Sequence, residues 1–371
     1  MKISSRKLLI AALGLCVLAY VVYRSSGFIH LANFSGQKLL RAVREANLYY
    51  LIVSIFAIYG CYALRALRWQ VFQRNLGASR FGPIYQITLA GFSAVFLLGR
   101  AGEPVRPLLL ARKERLPVAD MFGIYVLERL FDTASTAVMA AIGLLLFEAH
   151  AHEGATARTL ETAARTTGSL LFAGVVAAVV MLAYLRLHGS ALLDRRLQGW
   201  LAARGWRGRV ARIVLGFVRG VQTIRTWGEL VLAVFYSTAH WFLVLLIYFW
   251  ISVSFRGTLG AMSMSDAMLV LAFTLVGSAI QVPGVGGGSQ AGSIIAYTAI
   301  FGVEREPAVA VSMVLWLITF AACSLAGVPL LIREGWSLGE LRRMAVQEKE
   351  VVEEEVAGGA ETSAGRGDPA K

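Results

Sequence analysis

Residues 266–301 read DAMLVLAFTLVGSAIQVPGVGGGSQAGSIIAYTAIF. After its first residue the stretch carries no charge, and it is much longer than the ~20 residues with which a helix crosses the ~30 Å hydrocarbon core. Its middle, Pro283-Gly284-Val285-Gly286-Gly287-Gly288, cannot continue a helix. Proline lacks the donor, and each glycine is about 1 kcal/mol poorer than alanine as a helix former. Inside lipid every backbone N–H and C=O needs an internal partner, so backbone freed at that depth must be buried in protein or line a cavity. The stretch therefore predicts a broken, re-entrant segment in an α-helical membrane protein.

Outward from this stretch the chain repeats the theme. Further apolar segments fall at about 8–23, 48–68, 83–98, 120–147, 169–187, 229–253 and 308–332. Segment 83–98 is short, opens with Pro83 and ends in Gly99-Arg100-Ala101-Gly102, which predicts a second break. The fold expected is all-α and polytopic, with six full spans and two re-entrant broken segments. A β-barrel would alternate over ~10-residue strands, and no such alternation occurs. Lys2, Arg6 and Lys7 precede the first run as in a signal peptide. No small-x-small cleavage pattern follows, so an uncleaved first helix is expected. The transmembrane domain is expected over 1–335. An acidic, then Gly- and Ala-rich cytoplasmic tail, partly disordered, is expected over 336–371.

Composition agrees with this class and narrows the partners. Of 371 residues 57% are hydrophobic and 16% charged, against about 25% charged in soluble proteins. The net charge of +13 suits cytoplasmic loops beside anionic lipid headgroups. Nucleic acid is not expected, because no zinc spacing, helix-turn-helix or aromatic–basic platform accompanies the charge. Cys16, Cys61 and Cys323 sit in or at the ends of apolar runs and read as small buried hydrophobes. No metal site and no cofactor are expected. His150, His152, Glu148 and Glu153 share one loop, which reads as solvated.

Loop charge orients the chain. With 2–7, 65–80, 99–119, 186–228 and 333–349 inside, the cytoplasmic loops hold 25 Lys and Arg against 8 on the other side. This bias puts both termini in the cytoplasm of an inner-membrane, multi-pass protein. The order 48–68, 83–98, 120–147 is then mirrored, in opposite orientation, by 229–253, 266–301, 308–332. Two inverted-topology repeats with paired breaks are a sequence pointer to a transport site. The Arg-rich loop 186–228, with Trp200, Trp206 and Trp227 interleaved, has the spacing of an amphipathic helix on the inner headgroup layer.

Three groups of residues could carry function. Glu128, Arg129 and Asp132 lie inside the apolar run 121–147, and charge there costs ~2.5–3.5 kcal/mol on insertion scales, so it needs a partner or a wet cavity. Glu128 and Asp132 share a helix face. A clamp between helices and a transport site both explain them. The second group is Gly99, Arg100, Gly102, Glu103 and Arg106, with Arg65 and Arg68 ending the preceding span. Arginine binds phosphate in two-pronged fashion, which suits a headgroup port. Ordinary positive-inside anchoring explains Arg112, Lys113 and Arg115, but it explains the glycines and Glu103 less readily. The third is Pro283, Gly284, Gly286, Gly287 and Gly288 followed by Ser289 and Gln290, where amides opening a half-helix could cradle an anion. It lacks the Lys-Ser/Thr of a nucleotide-binding loop.

These pieces together resemble a known family. Arg65-Ala66-Leu67-Arg68-Trp69, Gly99-Arg100-Ala101-Gly102-Glu103 with Arg106, Leu127-Glu128-Arg129-Leu130-Phe131-Asp132, the break at 283–288 and Phe301-Gly302-Val303 are similar to the flippase-like transmembrane domain of lysylphosphatidylglycerol synthases (multiple peptide resistance factors). The resemblance spans roughly 8–335. It implies a domain that moves an aminoacylated phospholipid between leaflets, its arginines and acidic residues facing a headgroup cavity. The family's late motif commonly reads Pro-Gly-Gly-x-Gly followed by an Arg-Glu pair. Here Ser289 and Gln290 stand in that place, so the cargo need not be aminoacylated. No globular synthase domain follows residue 340, so lipid synthesis is not expected.

The expectation is a lipid flippase or scramblase rather than an enzyme, moving phospholipid or polyprenyl-phosphate headgroups. Its partners would be membrane lipids with anionic headgroups, and homo-oligomerisation stays open. The alternatives are a membrane enzyme of lipid-linked sugar or polyprenyl chemistry and a non-transporting accessory subunit.

Overall fold

The computed structural model describes residues 36–77, 80–148, 158–159, 161–177, 180, 224, 226–278, 281–282 and 286–334. The expected first span 8–23, the interfacial helix in 186–228, the tail 336–371 and the residues Pro283 and Gly284 lie largely or wholly outside them.

The chain forms helices α1 (Gly36–Glu45), α2 (Leu48–Gln73) and α3 (Phe81–Leu98), then a 3-10 turn Gly99–Gly102 and α4 (Val105–Glu114). Helices α5 (Val118–Leu145), α6 (161–177) and α7 (Trp227–Ser254) follow. After α8 (Met264–Gly277) comes a two-residue antiparallel pairing of Gln281–Val282 with Gly286–Gly287, then α9 (Gly288–Ile295). The last helix, α10 (Arg305–Arg333), contains a π-turn at Leu317–Ala321. Four helical stretches, Leu48–Gln73, Phe81–Gly102, Trp227–Ser254 and Arg305–Arg333, are long and apolar enough to cross a membrane. Helix α5 has 28 residues, about 42 Å at 1.5 Å per residue, and is set apart by its central charges.

Local sequence sets the ends. Asn47 caps α2 through Tyr49 N, and Thr226–Glu229 and Ser263–Asp266 form reciprocal capping boxes on α7 and α8. Such caps satisfy amide donors that the first turn leaves free. Pro104 and Pro107 stand at the opening of α4, where the missing donor costs nothing.

Both breaks make hairpins. Helix α4 turns back along α3, so that a Cβ on Gly91 would meet the Arg106 side chain and one on Gly102 would meet the Ala94 carbonyl. The two ends of this hairpin come together, since a Cβ on Gly77 would lie 3.3 Å from Leu116 Cδ2. Helix α9 returns along α8 in the same way, with Gly277 against the Gly288 carbonyl and Gly292 against the Phe273 carbonyl. The strand Gln281–Val282 lies against the turn Gly99–Gly102, so the two hairpins meet at their tips. The sequence reading placed 99–119 in a cytoplasmic loop. Instead 105–114 is a helix with Val105, Leu109, Leu110 and Ala111 in the core. Its flanking charges hide a short apolar face of Val105, Leu109, Leu110 and Ala111, and Arg106 is carried inward by its pairing with Glu128 of α5.

The leading helices of the two halves run in opposite directions. Helices α2 and α7 run antiparallel side by side, from Asn47 N on Ser254 O (2.8 Å) to Asn75 Nδ2 on Glu229 Oε2 (3.0 Å). Helix α3 packs on the end of α10, and its counterpart α8 packs on α5. The apolar core gathers around α2, α7, α8 and α10, with a second group joining α2, α3, α4 and α5.

Candidate functional site

Helix α2 carries Arg65 and Arg68 on the face turned toward α5 and α7. Helix α5 presents Glu128 and Asp132, one turn apart. The close approach allowed by Gly91 lets α4 bring Arg106 to the same place. The side chains form one buried cluster. Arg65 Nη1 donates to Glu128 Oε1 and Asp132 Oδ2, both at 2.9 Å. Arg68 Nη2 donates to Glu128 Oε1 at 2.9 Å and Asp132 Oδ1 at 2.8 Å. Arg106 pairs with both oxygens of Glu128. Arg129 closes the outer side, 3.1 Å from Asp132 Oδ2 and 3.7 Å from Glu128 Oε2.

Helix α7 supplies residues that the sequence reading had not singled out. Ser237 accepts from Arg68 Nη1 at 2.8 Å, and Trp241 Nε1 donates to Asp132 Oδ1 at 3.2 Å. His240 Nε2 accepts from Arg65 Nε at 3.1 Å, while its Nδ1 lies 3.2 Å from the Cys61 carbonyl. That network assigns the Nδ1–H tautomer and a neutral ring. Ser237, His240 and Trp241 are spaced three and one apart within an apolar run, a polar face at helical period that was readable in the sequence. Aromatic rings cover the guanidinium planes: Trp69 and Phe92 lie 4.6 and 5.1 Å from Arg106 Cζ. Phe92 is 5.0 Å from Arg65 Cζ. Such stacking suits weakly hydrated guanidinium groups taken out of water.

The structure brings together Arg65, Arg68, Arg106, Glu128, Arg129 and Asp132 from the expected set. Glu103 joins at the edge, where it accepts from the Tyr125 hydroxyl. Arg100 stands exposed on the turn at the hairpin tip. Ser289 and Gln290 are buried on the first turn of α9, apart from the cluster, with Ser289 Oγ 3.3 Å from Gln290 Oε1. Gly99 and Gly287 adopt positive φ, 67° and 85°, at the two breaks, a backbone that glycine alone enters without strain. Gly102 and Gly288 are points of close backbone approach, and Gly286 pairs with Val282.

Charge counting defines the chemistry. Four guanidinium groups face two carboxylates and a neutral imidazole, which leaves two positive charges before Glu103 is included. Among the described residues no group of three or more potential metal ligands gathers. On one flank a small cavity of about 40 Å³ is lined by Gly91, Phe92, Val95, Glu103, Arg106, Tyr125 and Arg129. On the other flank a cavity of about 570 Å³ opens between α5 and α7, with Val175 of α6 and Met268 of α8 at its edges. Its walls are aliphatic and aromatic apart from Ser135, Ser237, Thr238 and the Trp241 indole. Ser237 and Trp241 belong to both the apolar wall and the charged cluster.

Comparison with curated proteins finds no match. Residues 8–327, most of the chain and all but a few described residues, match the family model of the lysylphosphatidylglycerol synthase TM region, and the chain belongs to that family.

Proposed function

We propose that the chain carries lipids between the two leaflets as a flippase or scramblase. The headgroup passes the arginine–carboxylate cluster while an acyl chain lies in the apolar cavity. The observation that carries this reading is the junction at α7, where Ser237 and Trp241 line the cavity and also reach the charged side chains. At about 570 Å³ the cavity falls in the ~300–1,000 Å³ range of small-molecule sites. The positive excess of the cluster supports an anionic headgroup. Family membership supports a transporting membrane domain rather than an enzyme. The 25-to-8 bias of Lys and Arg supports an inner-membrane setting with both termini cytoplasmic.

The test is reconstitution into liposomes with fluorescent-headgroup phospholipids and polyprenyl phosphates, followed by bleaching of the outer leaflet. Protein-dependent loss of the protected fraction is expected, reduced by Arg65→Gln and Arg68→Gln at equal protein content. Rates equal to those of empty liposomes for every lipid would overturn the reading.

A further inference from the structure

The cluster and the small cavity beside it together hold a charge balance that the paired residues alone do not explain. Arg65 and Arg68 each reach both Glu128 and Asp132, and Arg106 reaches Glu128. Arg129 also pairs with both carboxylates, but its side chain is 40% exposed. It lines the small cavity together with Arg106, Glu103 and Tyr125, beside Gly91, Phe92 and Val95. Glu103 makes no ion pair within 4 Å among the described residues. Its carboxylate accepts from the Tyr125 hydroxyl and lines the same cavity as two guanidinium groups. At about 40 Å³, little more than the ~30 Å³ share of one water, the half-open cavity receives only the charged oxygen edge of a phosphate, and the rest of the headgroup stays outside it. Among the buried donors, Arg68 Nε, Trp69 Nε1 and Arg129 Nε have no hydrogen-bond partner.

With Glu103 counted, four guanidinium groups stand against three carboxylates, and the site carries one unmatched positive charge. Arg106 and Glu128 are buried while Arg129 is partly exposed, so the unmatched charge is only partly screened, and the preferred occupant is the one that brings the sum to zero. A phosphodiester without an amine supplies one negative charge and does so. A phosphomonoester dianion, with a second pKa near 6, overshoots by one. A zwitterionic headgroup leaves the sum unchanged.

We propose that Glu103 sets the charge of the headgroup this site accepts, so that the cavity selects a phosphodiester monoanion over a phosphomonoester dianion and over a zwitterion. This rests on the lipid-carrying reading for its source of phosphate, but it concerns which charge binds, not whether the lipid crosses. Glu103→Gln raises the site by one charge and favours the dianion. Arg129→Gln lowers it by one and removes the preference for anions. The double variant restores the original sum.

The full-length protein is incorporated into nanodiscs of phosphatidylglycerol, phosphatidic acid and phosphatidylcholine in equal parts at about pH 8. Lipids retained after mild detergent extraction are counted by mass spectrometry. The expected result is enrichment of phosphatidylglycerol by the natural chain and a shift toward phosphatidic acid in Glu103→Gln of about tenfold, the ratio that ~1.4 kcal/mol makes. Phosphatidylglycerol preference should return in Glu103→Gln/Arg129→Gln, a reversal that damage to the fold cannot produce. Equal retention of all three lipids, or one preference shared by all variants, overturns the proposal. A second arm adds millimolar inorganic phosphate or glycerophosphoglycerol. Failure of either to displace the bound lipid supports a headgroup ligand, whereas complete displacement of the enriched lipid by inorganic phosphate means the site serves a soluble phosphate and overturns the lipid assignment. If phosphatidylglycerol is enriched but never crosses in liposomes, the transport reading falls while the charge reading stands.

Discussion

Glu128 is the residue on which the buried cluster converges. It is fully buried, and Arg65, Arg68 and Arg106 all donate to it. Removing one partner of a buried ion pair costs about 3–5 kcal/mol, because the remaining charge stays out of water. Glu128→Gln is therefore expected to lower thermal stability strongly in detergent, measured by fluorescence-detected size-exclusion after heating. Arg129→Gln should cost no more than about 1 kcal/mol, since its side chain is 40% exposed and water screens it. Comparable losses in the two variants would contradict the geometry. The pair Glu128 and Asp132 was legible from sequence because charge at helical spacing inside an apolar run demands partners. The identity of those partners was only half legible. Arg65 and Arg68 stood at a helix end where anchoring explains arginine as well. Arg106 lay among charges that read as a loop, and nothing local announces that Gly91 lets it approach.

At the scale of elements the hairpins and the π-turn carry the fold's specific features. The hydroxyl of Tyr59 donates to the Ala322 carbonyl at 2.7 Å, and that of Tyr62 to the Thr319 carbonyl at 3.3 Å. These carbonyls lie in or directly after the π-turn Leu317–Ala321. A π-turn shifts the helical hydrogen-bond register and occurs often at functional places, and at membrane depth displaced carbonyls need a neighbour to satisfy them. Each neutral bond is worth about 0.5–1.5 kcal/mol net. Tyr59→Phe/Tyr62→Phe should keep the rings in place and accelerate hydrogen exchange in the segment 317–322, with little change in α2. Unchanged exchange there would show that the hydroxyls do not hold the turn. Gly327 makes a sharper case, because a Cβ there would run into the Leu89 carbonyl and Ser93 Oγ. Gly327→Ala is expected to force α3 and α10 apart at a cost of about 1–3 kcal/mol, as overpacking does, readable as a lower midpoint in the same heating assay. The breaks themselves were legible, since proline and glycine density overrides hydropathy. The π-turn was not, because Leu317-Ile318-Thr319-Phe320-Ala321 reads as ordinary helix and only tertiary contact selects the extra residue per turn.

At the scale of the molecule the opposed triplets show a division of labour. Residues 230–255, 267–303 and 307–332 contain no Asp, Glu, Lys or Arg, whereas the first triplet holds every charged member of the cluster and the second adds only the polar Ser237, His240 and Trp241. Hydropathy and loop charge revealed the mirrored order but not the pairing of α2 with α7, which is long-range and set by complementarity of faces. The same pairing fixes which ends share a side. Arg80 and Arg112 flank the first hairpin, and Arg256 and Arg305 flank the second; Arg80, Arg256 and Arg305 are exposed, as is Arg112. In a chain whose three native cysteines are replaced by serine, each arginine is changed singly to cysteine and treated with a membrane-impermeant maleimide. Re-entrant hairpins require Arg80→Cys and Arg112→Cys to react from one face and Arg256→Cys and Arg305→Cys from the other. With the Lys and Arg bias setting the orientation, the second pair should label in intact spheroplasts and the first only after permeabilisation. If the members of either pair react from opposite faces, that hairpin crosses the bilayer, its tip no longer sits beside the other at mid-depth, and the cluster loses the close approach of α4 on which its third arginine depends.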